Sequence, residues 1–282
     1  MASVIGFGSW TGKKTMNRGA SMPPPRLNPS QVLEVEVIPR LLVAHFPVLV
    51  PSEPVATAQI DPQEVERIAS LAVTLEAHEL LVEVEHFVMR GVCIERVLVD
   101  LMAPAARQLG DAWKRDDLDF VEVTMALWRL QEVLREIASR TPPNHRMSAD
   151  PRSALFSPLP GDQHGFGTAM IEECFARAGW DTALLIEPKR SDLLSRLANR
   201  HFDMVGLTVS NDCHNGPLSS LVRAMRDVSQ NQNICVVLGG RALIERPEIA
   251  VEAGADGTAP TALDALDLAD RLIDVPLRAA TA

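Results

Sequence analysis

The 282-residue sequence contains no tyrosine, and its aromatic content is only 4%. That argues against an aromatic platform for stacking single-stranded bases. It also lacks a basic balance. The net charge is −10, so binding to nucleic acid through a general basic surface is not expected. Neither does it hold an apolar run of about 18 residues, so nothing in it reads as a membrane span. At the start, "MASVIGFGSWTGKK", the basic residues follow the mildly apolar stretch, which is the wrong order for a secretory signal. There is no C-x-x-C. Cys93, Cys174, Cys213 and Cys235 are scattered and read as reduced thiols of a cytoplasmic protein. No internal repeat is visible. What remains is an ordinary globular balance, 46% hydrophobic and 23% charged, over a length that suits two domains.

Residues 1–30 carry Lys13, Lys14, Arg18 and Arg26, no acid, and the run "MPPPRLNP". They read as a flexible basic leader. Residues 31–140 read as a helical cap domain. "SQVLEVEVIPRLLVAHF" suits a helix kinked near Pro39, and "VLVPSEP" a linker. Asp61, Pro62 and Glu64 make a helix start, followed by Val65, Ile68, Ala69 and Ala72 at helical spacing. Further helices are expected over about 76–90 ending at Gly91, from Ile94 to Trp113 with a bend at Pro104, and over about 119–139. Short connections between amphipathic helices imply an antiparallel bundle. Residues 141–152 are polar and proline-bearing, a linker. From 153 to 282 short apolar runs ("SALFSP", "TALLIE", "DMVGLTVS", "ICVVLGG") alternate with helical segments. That rhythm predicts a Rossmannoid parallel sheet of four or five strands in flavodoxin-like order.

The first of these strands runs into "LPGDQHGFG". Asp162 and His164 stand in a glycine-bracketed turn at a strand's carboxyl end, where open α/β sheets bind ligands. The third apolar run ends in Thr208 and Ser210, the fourth in Gly239–Gly240. In a parallel sheet these ends share one rim. A histidine backed by a carboxylate is a strong metal ligand. One imidazole cannot hold a bare ion, so the metal is expected inside a larger cofactor. The hydroxyls suit a polar tail, and the glycines leave a channel free of side chains. Two other uses of the turn fail. A G-x-G-x-x-G fingerprint needs glycine where Met170 stands. A receiver domain needs an acidic cluster that is missing.

"DQHGFG" resembles the D-x-H-x-x-G signature of cobalamin (vitamin B12)-binding domains. "VGLTVS" stands where those domains have S-x-L, with Thr208 for the serine and Ser210 for the leucine. "VVLGG" is similar to their G-G, and "GADGTAP" to the segment that follows. The resemblance implies cobalamin bound base-off, His-on. His164 is then cobalt's lower axial ligand, backed by Asp162, with Gln163, Gly165, Phe166, Gly167, Thr208, Val209, Ser210, Gly239, Gly240 and Thr258 around the nucleotide tail. The upper ligand (hydroxo, methyl or adenosyl) is left open. "LMAPAARQLGDAWKRDDLDFVEVTMALWRLQ" is similar to the helical cap of such modules, light-sensing ones included, and places Trp113 and Glu122 over the corrin. Here the spacing is one residue shorter and Val123 stands in the place of a histidine, leaving His45, His78 and His86 as substitutes to consider.

Cap plus domain, preceded by "EVIPRLLVAH", look most like the PpaA/AerR family of antirepressors in purple photosynthetic bacteria. The resemblance implies a non-enzymatic photoreceptor or redox sensor that binds a PpsR/CrtJ-type repressor of photosynthesis genes. Without a helix-turn-helix bearing a basic recognition face, direct operator binding is not expected. A corrinoid methyl carrier is the alternative, and an orphan storage protein a third reading.

Overall fold

Asp61 and Glu64 form a reciprocal cap on the first described helix. Asp61 Oδ1 accepts from the Gln63 N–H at 2.8 Å, and Glu64 Oε2 from the Asp61 N–H at 2.9 Å. Two otherwise orphaned donors are thereby satisfied, which fixes where helix α1 (Pro62–Thr74) begins. The computed structural model describes residues 59–140, 151–210 and 217–273. The basic leader, the helix expected near Pro39, His45, Cys213 and most of the linker after 140 lie outside the described residues.

Helix α2 (Ala77–Met89) stops before Gly91, whose φ of 90° lets the Val92 N–H turn back to Phe87 O at 3.1 Å. Helix α3 (Ile94–Arg96) runs through a π-helical stretch, Val97–Met102, into α4 (Ala103–Lys114). The Ala103 N–H reaches Leu98 O, five residues back. Pro104 explains the wider turn. It has no N–H for the carbonyl four residues earlier, and its ring crowds that carbonyl. Where a bend at Pro104 is expected, the chain has a π-helical stretch just ahead of the proline. Helix α5 (Phe120–Arg140) completes the bundle.

The second half is a five-stranded parallel sheet in the order β2-β1-β3-β4-β5. Its strands are β1 (Ser153–Pro158), β2 (Asp181–Leu184), β3 (Met204–Thr208), β4 (Cys235–Gly239) and β5 (Gly257–Thr258). The crossovers carry α6 (Phe166–Arg177), α7 (Arg190–Asn199), α8 (Leu218–Val228), α9 (Arg241–Glu245) and α10 (Glu248–Ala253), and α11 (Ala262–Ile273) closes the described chain. This is the flavodoxin-like order that the alternating rhythm predicts.

Strand alternation divides the core. Leu155, Val205, Leu207 and Val236 pack against α7 and α8 on one face, with Leu193, Leu197 and Met225 fully buried. Ala154, Phe156, Met204 and Val237 face α6 and α11 on the other, where the Phe175 ring lies tilted with its centroid 4.8 Å from that of Phe156. Met170 and Cys174 of α6 and Ala262 of α11 also join the bundle's own core of Leu80, Phe87, Leu101 and Leu130. The bundle and the sheet therefore share apolar surface, and the sheet's α6–α11 face is the one the bundle covers. No helix among the described residues is long and apolar enough to cross a membrane. Cys93, Cys174 and Cys235 are free thiols, and burial pushes Cys174 up to about 12 and Cys235 to about 11.

Candidate functional site

Register brings three strand ends into one row. Pro158 of β1 sits beside Thr208 of β3, and Thr208 beside Gly239 of β4. The chain leaving β1 is pinned to this row by the Leu159 N–H donating to Thr208 O at 3.0 Å, and it turns as the Asp162 N–H donates to Leu159 O at 2.8 Å. Asp162 then forms a local turn of its own. Its Oδ1 accepts from the backbone N–H of His164 at 2.9 Å, the side-chain-to-backbone bond that aspartate favours two residues ahead. That turn carries the imidazole over the same oxygen, and His164 Nδ1 lies 2.7 Å from Oδ1. The D-x-H spacing is thus a geometric requirement: one carboxylate oxygen holds both the backbone and the ring of the residue two positions on.

The carboxylate is buried and the ring is not. Side-chain exposure is 3% for Asp162 and 65% for His164. Burial works to raise the Asp162 pKa, but the His164 backbone N–H, Ser210 and the His164 ring together outweigh it and hold the carboxyl below its ordinary range. An ionised carboxylate only accepts, so the ring tautomer that pairs with it carries its proton on Nδ1. The Nε2 lone pair is left for a Lewis acid.

His164 opens onto a cavity of about 550 Å³ between the bundle and the sheet rim. On the sheet side the cavity runs down between the strand face (Phe156, Met204, Gly206) and helices α6 and α11 (Met170, Ala265). Thr208 Oγ1 is 2.5 Å from Thr168 Oγ1, which ties the end of β3 to α6. Ser210 donates its backbone N–H to Asp162 Oδ2 at 3.3 Å, while its buried Oγ has no partner among the described residues. Gly240 has φ 98°, and a Cβ there would meet Val209 O at 2.6 Å. No other residue could bring the β4 end this close to the β3 end. An orphaned hydroxyl, a wall without side chains and a free imidazole nitrogen are the donor set a corrinoid with a polar tail needs. His164 would hold the cobalt, and Thr208, Ser210 and the glycine pair would line the tail.

Of the residues singled out in the sequence, Trp113, Asp162, Gln163, His164, Gly165, Phe166 and Gly167 border this cavity, as do Thr208, Val209, Ser210, Gly239 and Gly240. Thr258 does not. It pairs with Leu238 in the sheet, and Ala259, Pro260 and Thr261 just beyond it reach the wall instead. Glu122 also lies outside the lining. Its carboxylate accepts from the Asp119 N–H at 2.8 Å while Asp119 accepts from the Glu122 N–H at 2.8 Å, a cap on α5. Val123 is the buried residue that lines the cavity there. His78 and His86 are exposed on α2 and away from the lining. The sequence reading missed the rest of the cap wall, which includes Ala106, Arg107, Phe120, Thr124, Leu127 and Gln131. A signal was present: Ala103, Ala106 and Gly110 place small residues on one face of α4, where a flat ligand can approach the backbone.

No protein-family model matches the chain. It is 28% identical over 172 residues to an uncharacterized 20.5 kDa protein in the bchF-crtJ intergenic region of Rhodobacter capsulatus, covering 61% of this chain and 89% of that one. Its structure is similar to the monomethylamine corrinoid protein of Methanosarcina barkeri, with a TM-score of 0.62 at 13% identity over 75% of this chain and 100% of that chain. A cobalamin-binding protein from Desulfitobacterium hafniense DCB-2 aligns with a TM-score of 0.40 at 14% identity over 74% of this chain and 98% of that chain. The fold shared with the monomethylamine corrinoid protein is a set of helices over a Rossmann-like parallel sheet.

Proposed function

We propose that this chain binds cobalamin base-off with His164 as the lower ligand, and acts in the cytoplasm as a light- or redox-responsive antirepressor of a PpsR/CrtJ-type repressor. The observation that carries the cofactor reading is the 2.7 Å contact of His164 Nδ1 with a buried carboxylate, on the wall of a cavity whose size suits a large ligand. A bound corrinoid supplies a cobalt centre whose upper bond responds to light or to redox state. The protein does the rest. Asp162 would fix the ring's tautomer and orientation. Thr208, Ser210 and the glycine turn receive the tail. Helices α4 and α5 form the opposite wall, with Trp113 and Val123 on it. A ligand change that alters contacts on that wall by a few kcal/mol would shift a two-state cap substantially. The repressor would read the cap's outer surface. The regulatory part rests on the resemblance to the PpaA/AerR family and on the Rhodobacter capsulatus relative, whose region is flanked by crtJ.

The likeness to a corrinoid protein for monomethylamine favours a second reading, a methyl carrier that presents methylcobalamin to a partner enzyme. Absorption spectra of the protein loaded with hydroxo-, methyl- and adenosylcobalamin, dark and illuminated, separate the two. A light-driven spectral change that alters capture of the repressor supports the sensor. Rapid methyl transfer to a thiol or folate acceptor with no photoresponse establishes the carrier.

A further inference from the structure

The chain is acidic, with a net charge of −10, yet among the described residues the charged ones bordering the cavity are three cations and one carboxylate: Arg107, Lys114, Arg241 and Asp162. Asp162 is buried and committed to His164. Arg241, which follows the glycine pair, is neutralised by Asp111 at 2.8 Å and Glu245 at 3.3 Å. Asp111 lies one turn beyond Arg107 on α4, but it serves Arg241. Arg107 and Lys114, two turns apart on the cavity face of α4, have no ion-pair partner among the described residues. Burial and the neighbouring Arg241 charge lower the Arg107 pKa and outweigh the opposing pull of Asp111.

Apart from the Lys114 amine and the Gln131 amide, the same wall has no group among the described residues that readily ligates cobalt. Among the described residues it contains no imidazole, thiol, thioether or carboxylate. The Thr124 hydroxyl is engaged with Phe120 O at 2.6 Å. Val123 fills the position where the resemblance would have a histidine.

We infer that the cap wall is a binding site for a small anion from solution, held by Arg107 and Lys114, and that this anion becomes the upper ligand of the bound cobalt. The inference rests on the corrinoid reading of the cavity. The step is ligand exchange. Water leaves, the anion's lone pair takes its place, and no electron is transferred. A neutral ligand gains nothing from the two charges, so discrimination between anionic and neutral ligands is the signature.

The test uses the full chain loaded with aquocobalamin and titrated with azide or with neutral imidazole, followed by visible absorbance. Arg107→Gln and Lys114→Gln are each expected to weaken azide about fivefold, the scale of one part-exposed charge, and to leave imidazole within about twofold. Azide affinity that is unchanged in both variants, or an equal loss for both ligands, overturns the inference. So does a loss of cobalamin affinity with cobinamide affinity intact, because the charge then serves the cofactor's own phosphodiester. A wild-type protein that takes up no corrinoid overturns the cofactor reading itself, a result distinct from a coloured protein without anion preference.

Discussion

Replacing Asp162 with asparagine tests the site at its most constrained atom. The carboxylate accepts two N–H groups from His164, at 2.9 and 2.7 Å, on one oxygen and the Ser210 N–H at 3.3 Å on the other. An amide keeps one oxygen and turns the other into a donor. If the remaining oxygen stays with His164, the new NH₂ meets the Ser210 N–H, donor against donor. If the amide flips, both His164 bonds are lost. Hydrogen bonds to a charged acceptor contribute about 1.5–3 kcal/mol each, so the milder orientation already forfeits about that much. Loss of the outer partner of a metal-bound imidazole costs about 10- to 100-fold in affinity, or about 1.4–2.7 kcal/mol, which agrees with the bond estimate. The assay is visible-absorbance titration with hydroxocobalamin of the wild type, Asp162→Asn, His164→Ala and the double variant. Asp162→Asn is expected to weaken binding about 10- to 100-fold in the wild type but less than about threefold where His164 is already absent. An equal loss in both backgrounds would refute a role for Asp162 through the imidazole.

The folded Asp162 pKa is depressed, so its contribution to stability is full above the ordinary aspartate range and disappears as pH falls through the lower folded value. Chemical denaturation between about pH 5 and pH 3 should therefore show a falling limb that Asp162→Asn flattens. Gly240→Ala forces a Cβ to 2.6 Å from Val209 O at φ 98°, so thermal unfolding should show a loss of at least about 1–3 kcal/mol with weakened corrinoid uptake; an unchanged melting temperature contradicts this. Leu130→Ala opens a cavity in the fully buried bundle core and should cost about 2–5 kcal/mol in urea unfolding.

Signals carried by a few adjacent residues were legible in the sequence. The Asp61–Glu64 cap, the stop at Gly91 and the run "SALFSP" lie where local chemistry puts them, because each depends on neighbours within four residues. The rim was legible too. Strand ends in a parallel sheet converge whatever the details of packing, so Asp162, His164, Ser210 and Gly240 could be grouped before any coordinates. Contacts between distant segments were not legible. Nothing in "VLVDLM" announces a π-helical turn; it reflects Pro104 being accommodated inside a packed helix. Glu122 reads equally well as a cavity residue or as a cap, and only the turn at Asp119 decides. The pairing of Thr168 with Thr208 joins residues 40 apart. The charge of the cap wall depends on Arg241 reaching across from α9 to occupy Asp111, which no spacing rule on α4 can show.

The central claim is that His164 Nε2, and not the cofactor's benzimidazole, holds cobalt from below. Electron paramagnetic resonance of protein loaded with cob(II)alamin reads that bond directly through the splitting from the axial nitrogen. With histidine labelled by heavy nitrogen, each threefold splitting should collapse to twofold, and the effect should vanish in His164→Ala. Threefold splitting that persists in the labelled protein would contradict the account.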